Sequence, residues 1–155
     1  MVGSDFAERA DQRDLADLAL VDLALADLAL AEMAELAAAL ARIVVALRTT
    51  QLSRLRASVT GQFGSRADAG RALAAALATA AQGIDEADAA IEPAWRRLPV
   101  LPDLAVGDQV AVTAHDLLSL MTAAPDTVWT PSGRASLSSV LADVRAMVGA
   151  VGALW

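Results

Sequence analysis

The sequence predicts an all-α protein: a helical bundle with one long N-terminal helix and about four helices in total. Three observations carry this. The hydrophobic fraction is 56%, mostly Ala and Leu, both strong helix formers, while aromatic residues supply only 3%. Apolar residues between Leu15 and Leu47 recur mostly three and four apart, the spacing of a helix that buries a side. Helix-start signals then punctuate the chain at Ser4, Ser65, Thr113 and Thr130. With 155 residues the expectation is one helical domain over 1–155, large enough to fold without a disulfide or metal staple.

Each element has its own signal. Ser4 caps a helix expected over about 5–59, with Asp5 and Glu8 in its first turn and a weak point at Thr49-Thr50. The glycines of VTGQFGS, 59–65, mark a turn. Ser65 and Asp68 form a capping box that opens an Ala-rich helix over about 65–92, stopped by Pro93. A connector with Pro99 and Pro102 fills 93–112, and QVAVT at 109–113 has the alternation of a short extended piece. Thr113 and Asp116 start a short helix over about 114–123. The stretch APDTVWTPSG reads as a loop, and Thr130 followed by Pro131 fits the start of a last helix over about 131–152.

The first helix contains a pentad repeat, DLALVDLALADLALAEMAEL from Asp17 to Leu36. Five residues turn a helix by about 500°, so neither the acids nor the Leu of the pentads share one face. Leu15, Leu18, Val21, Leu25, Leu28, Met33, Leu36, Leu40, Ile43 and Leu47 nevertheless form a broad apolar stripe, and Leu20, Leu23, Leu30 and Val45 lie on a second side. A helix apolar on two sides calls for cover on two sides, which points to another chain. The triplets Ala16-Asp17-Leu18, Val21-Asp22-Leu23, Ala26-Asp27-Leu28 and Ala31-Glu32-Met33 also resemble the small–Asp–Leu register of pentapeptide-repeat proteins. That resemblance implies a square β-helical coil. It covers only about twenty residues, one coil without a neighbour to bury it, and places Leu20, Leu25 and Leu30 outside. The helix is the preferred reading.

Charge is segregated along the chain. Residues 1–35 hold nine acids and two Arg, net −7; residues 36–75 hold six Arg and one Asp, net +5. Residues 76–155 hold nine acids and four Arg, net −5. A long helix acidic at its start and basic at its end suits its own dipole and suits antiparallel pairing with a copy of itself. The overall charge of −7 disfavours nucleic acid. Arg54, Arg56, Arg66 and Arg71 are candidates for an anion or acidic-partner patch, against neutralisation by the chain's own acids.

Sites for chemistry are few. There is no cysteine, which excludes disulfides, thiolate metal sites and cysteine nucleophiles. The single histidine, His115, is a general base only if Asp116 or Asp108 orients it; it also fits a plain first-turn residue of a short helix. Asp85, Asp88 and Glu92 fall near one face of an extended helix, where exposed carboxylates ordinarily meet water rather than a metal. GQFGSR at 61–66 lacks the P-loop and dinucleotide fingerprints. No catalytic residue, cofactor or metal is therefore assigned. The start of the chain is acidic where a secretory signal is basic, and no uncharged run reaches the ~18–20 residues of a membrane span. The expected location is cytoplasmic.

The expected function is a non-catalytic structural or interaction subunit, a homo-oligomer or a helical partner's mate, joined through the stripe from Leu15 to Leu47. Two alternatives stand beside it. One is an amphipathic protein of a lipid surface. The other is a small ligand-binding or enzymatic bundle around His115. The apolar tail ending in Trp155 fits either a tucked core plug or a partner contact.

Overall fold

The computed structural model describes residues 4–155, with side chains from Leu20 onward. The chain is mostly helical: α1 spans Ser4–Thr49, α2 Leu52–Arg56, α3 Arg66–Asp85, α4 Val106–Met121 and α5 Leu137–Gly152. The only strands among the described residues are β1, Thr127–Thr130, and β2, Gly133–Ser136. The all-α expectation is met, with α2 as a fifth, one-turn helix. The chain divides into two compact units, Met1–Glu35 and Leu36–Trp155.

The second unit is built round α3. Its Ala-rich sequence lets neighbours come close, and Ala69, Leu73, Ala74 and Leu77 are fully buried. Helix α4 packs along it, with α5 and β1 against its other sides and α2 near its start. At Gly70 an added Cβ would stand 2.5 Å from Val106 Cγ1, so the absence of a side chain sets how near α3 and α4 approach. From α1, Leu36, Leu40, Ile43, Val44 and Leu47 enter the same core.

Boundaries depart from the sequence reading for identifiable reasons. Helix α1 ends at Thr49, ten residues before the expected limit of 59. Thr49 and Thr50 donate their hydroxyls to the carbonyls of Val45 and Ala46, at 2.8 and 2.6 Å. Hydroxyls that bond back in this way disfavour continuation of the helix. Of the capping box expected at Ser65, the N-cap is present: Ser65 Oγ accepts from the Asp68 amide at 3.1 Å, while the Asp68 carboxylate reaches back to the Ser65 hydroxyl, at 2.7 Å, and not to its amide. Helix α3 stops at Asp85 rather than near 92, so Asp85, Asp88 and Glu92 do not share a helix face.

Beyond α3 the chain returns as an extended strap. The buried Gln82 side chain donates to Ala94 O at 2.9 Å and accepts from the Arg96 amide at 3.0 Å, pinning the returning chain against α3. Gln109 donates to Pro99 O and Arg71 to Leu101 O, so three side chains hold the strap's backbone. Next, a 3-10 turn over Asp103–Ala105 leads directly into α4. The expected short helix at 114–123 therefore begins at Val106, and QVAVT is helical, not extended. The buried set Val106, Val110, Thr113 and Leu117 has helical spacing; the alternation that suggested a strand is incidental, and Val112 faces solvent.

The expected cap at Thr130 with a helix from 131 is replaced by a hairpin. Thr127 pairs with Ser136 and Thr130 with Gly133, around a turn at Pro131-Ser132. Gly133 takes a φ of +110°, which a residue with a side chain rarely adopts. The cap of α5 is Ser136, which accepts from the Ser139 amide at 3.2 Å.

Candidate functional site

In the unit Met1–Glu35, α1 displays large apolar side chains to solvent. Leu20, Val21, Leu23, Leu25, Leu28 and Leu30 are each 55–64% exposed. Their exposure follows from the pentads: a five-residue repeat distributes Leu round the helix, so no single neighbouring surface covers them all. Asp22 and Asp27 stand among them and are exposed too.

The apolar stripe read from sequence divides at the unit boundary. Val21, Leu25 and Leu28 are exposed and Met33 is half-buried. Leu36, Leu40, Ile43 and Leu47 are 1–4% exposed, in the core of the unit Leu36–Trp155. Leu15 and Leu18 lie outside the residues whose side chains are described. Of the second side, Leu20, Leu23, Leu30 and Val45 are all exposed.

The Arg residues of 36–75 differ in their engagements. Arg56 Nε donates to Asp103 Oδ2 at 2.6 Å, and Arg71 closes on the other oxygen of the same carboxylate. These two guanidiniums, Arg56 first, hold the Asp103 carboxyl below the ordinary carboxylate range, outweighing partial burial, which raises it. Arg71 also pairs with Asp68 at 3.1 Å, and Arg48 with Asp108 at 2.6 Å. Arg66 donates to Leu154 O at 3.0 Å and lies 5.9 Å over the Trp155 ring. Arg42 and Arg54 are exposed and make no hydrogen bond or ion pair among the described residues. The four patch residues named from sequence are thus not equivalent: Arg56 and Arg71 converge on Asp103, Arg66 binds the chain's end, and Arg54 is open.

The tail is tied down. Trp155 Nε1 donates to Thr50 Oγ1 at 3.1 Å, and the ring, 44% exposed, edges a cleft of about 390 Å³ between α5 and residues 39–46 of α1. Ala39, Ala46, Gly149 and Gly152 line it, so its walls are shallow and apolar, with Arg42 at the rim.

His115 is exposed on α4 and edges a wider cleft of about 580 Å³ between α3, the strap and α4. Asp85, Asp116, Arg96, Arg97 and Ser119 share its rim, while Gln82 and Thr113 are already hydrogen-bonded within the fold. His115 makes no hydrogen bond among the described residues, so neither Asp108 nor Asp116 orients it; Asp108 is engaged by Arg48 instead. Among the described residues no three His, Asp or Glu side chains gather as a metal site. No described helix is long and apolar enough to cross a membrane.

Sequence reasoning does not foresee the cleft beside Trp155 or the Gln82 clamp. The only advance signal for the clamp is a lone amide side chain in an otherwise apolar helical run, ATAAQGI.

Comparison of the chain with protein-family models, with curated proteins and with solved structures gives no match.

Proposed function

We propose that the protein is a non-catalytic interaction subunit that joins a second helix, from a copy of itself or from a helical partner, through the α1 residues Leu20 to Leu30. One observation carries the reading: six large aliphatic side chains stand more than half exposed within eleven residues of one helix. Concentrated apolar exposure of this kind marks an interaction surface more often than scattered single residues do. Burying a Leu fully contributes roughly 1.5–3 kcal/mol before the costs of association, so a few suffice to hold a helix pair. The charge of the same segment favours a protein partner over a lipid surface. Nine acids against two Arg in residues 1–35 repel anionic headgroups.

The test is solution mass by light scattering, with circular dichroism as a fold control. Leu23→Asp and Leu30→Asp each place a charge inside the proposed contact, on the side of α1 that stays exposed through Val45. The expected result is a multimeric wild type and monomeric variants, whose thermal midpoint equals that of the wild type at a concentration where the wild type is dissociated. Wild-type mass in both variants, or a monomeric wild type with no helical partner bound, removes the proposal.

A further inference from the structure

The segregated charge of the chain indicates how a second copy is oriented. Resting on the proposed association through α1, we infer that α1 pairs with α1 of a second copy in antiparallel orientation. The acid-rich segment of each chain then runs beside the Arg-bearing end of the other's helix.

Parallel alignment sets residues 1–35 of two copies side by side, nine acids and only two Arg on each. Like charges facing each other across a helix pair destabilise it and discriminate against that alignment. Reversal moves those acids toward Arg42 and Arg48, the basic residues in the rest of α1, of which Arg48 is already paired with Asp108. Arg42 is exposed and makes no hydrogen bond or ion pair among the described residues, so its guanidinium is open to a carboxylate from outside the chain. Arg54, beyond the helix end, is open in the same way.

The apolar side chains fit the same orientation. The midpoint of Ser4–Thr49 falls between Ala26 and Asp27. A two-fold axis there sets Leu23 against Leu30 and Asp27 against Ala26, so Leu meets Leu and the central acids meet methyl groups rather than each other. It also brings the sequence positions Asp11 and Asp5 level with Arg42 and Arg48. Such a contact is self-complementary and closes at two copies.

The chain has no cysteine, so an introduced thiol is unique. Leu20→Cys and Ala34→Cys place thiols on nearly the same side of α1, about 20 Å apart along it. Under mild oxidation of the full-length protein, the mixture of the two variants is expected to yield disulfide-linked dimer at least about tenfold over either variant alone, since only antiparallel pairing brings position 20 near position 34. If each variant links to itself as readily as to the other, the orientation is overturned while self-association stands. A dimer that links in none of the three samples also overturns it. A protein monomeric at every concentration overturns both this inference and self-association.

Discussion

Asp103 is the carboxylate on which two of the second unit's basic residues, Arg56 and Arg71, converge. It is 16% exposed and takes Arg56 on one oxygen and Arg71 on the other, joining the segment after α1 to α3 at the foot of α4. Its carboxyl is lowered in the folded chain, so the unfolded state binds the proton more readily. The stability it contributes is therefore complete above the ordinary carboxylate range, about pH 4, and is lost as pH falls through the lower folded value. Asp103→Asn is expected to lower the urea midpoint near neutral pH, and the gap from wild type should narrow in acid below about pH 4. A gap that stays constant with pH would show that the charge of Asp103 is not what holds the two Arg. Nothing in the sequence singles Asp103 out, since its two partners lie 47 and 32 positions away. The segment charges forecast only that Arg and acids would meet somewhere.

Between elements, small residues set the spacing. At Gly83 an added Cβ would stand 2.0 Å from the carbonyl oxygen of Trp129, so α3 and β1 touch backbone to backbone. That contact lets Trp129 donate to Ala89 O at 3.2 Å and lets Arg134 stack 4.9 Å over its ring. Gly83→Ala is expected to cost roughly 1–3 kcal/mol through displacement of the hairpin, read as a lower thermal midpoint together with changed Trp fluorescence. An unchanged midpoint would mean that the hairpin moves freely. The hairpin itself is hard to read from sequence. Each strand has only four residues, and Thr-Pro followed by Ser-rich sequence imitates a helix start. The start of α4 is obscured for a related reason: Val110 and Val112 alternate locally, while the period that decides its structure, Val106 to Leu117, spans three turns. The N-cap at Ser65 is legible because it depends on four adjacent residues.

At the scale of the whole molecule, the two units treat one sequence pattern differently. The Leu of residues 20–30 are exposed, whereas Leu36, Leu40 and Leu47 lie in a core. The sequence period is continuous through both, so periodicity alone tells that the helix is apolar on several sides but not where its own chain supplies the cover. The distinction is measurable. Leu36→Asp is expected to destabilise the fold by at least about 3 kcal/mol, because it buries a charge in place of a packed side chain. Leu25→Asp is expected to leave the thermal midpoint within about 1 °C when the two are compared at a concentration where the wild type is dissociated. Equal loss of helicity in both variants would show that residues 20–30 also belong to the folding core. The all-α class follows from composition and period. Where the candidate surface lies also requires knowing which Leu the fold uses for itself.

The clamp at Gln82 makes one amide of the strap a reporter. Arg96 lies in a segment without regular secondary structure, where backbone hydrogens ordinarily trade with solvent in seconds, yet its N–H is held by a buried side chain. Its hydrogen should exchange with deuterium slowly, as an α3 amide does, while Arg97 and Leu98 beside it exchange fast. Gln82→Leu should bring Arg96 to its neighbours' rate without altering the α3 amides. Arg96 exchanging as fast as Arg97 in the wild type would show the strap detached in solution. The half-life of this single hydrogen therefore measures how often the strap lifts from α3 while the rest of the unit stays folded.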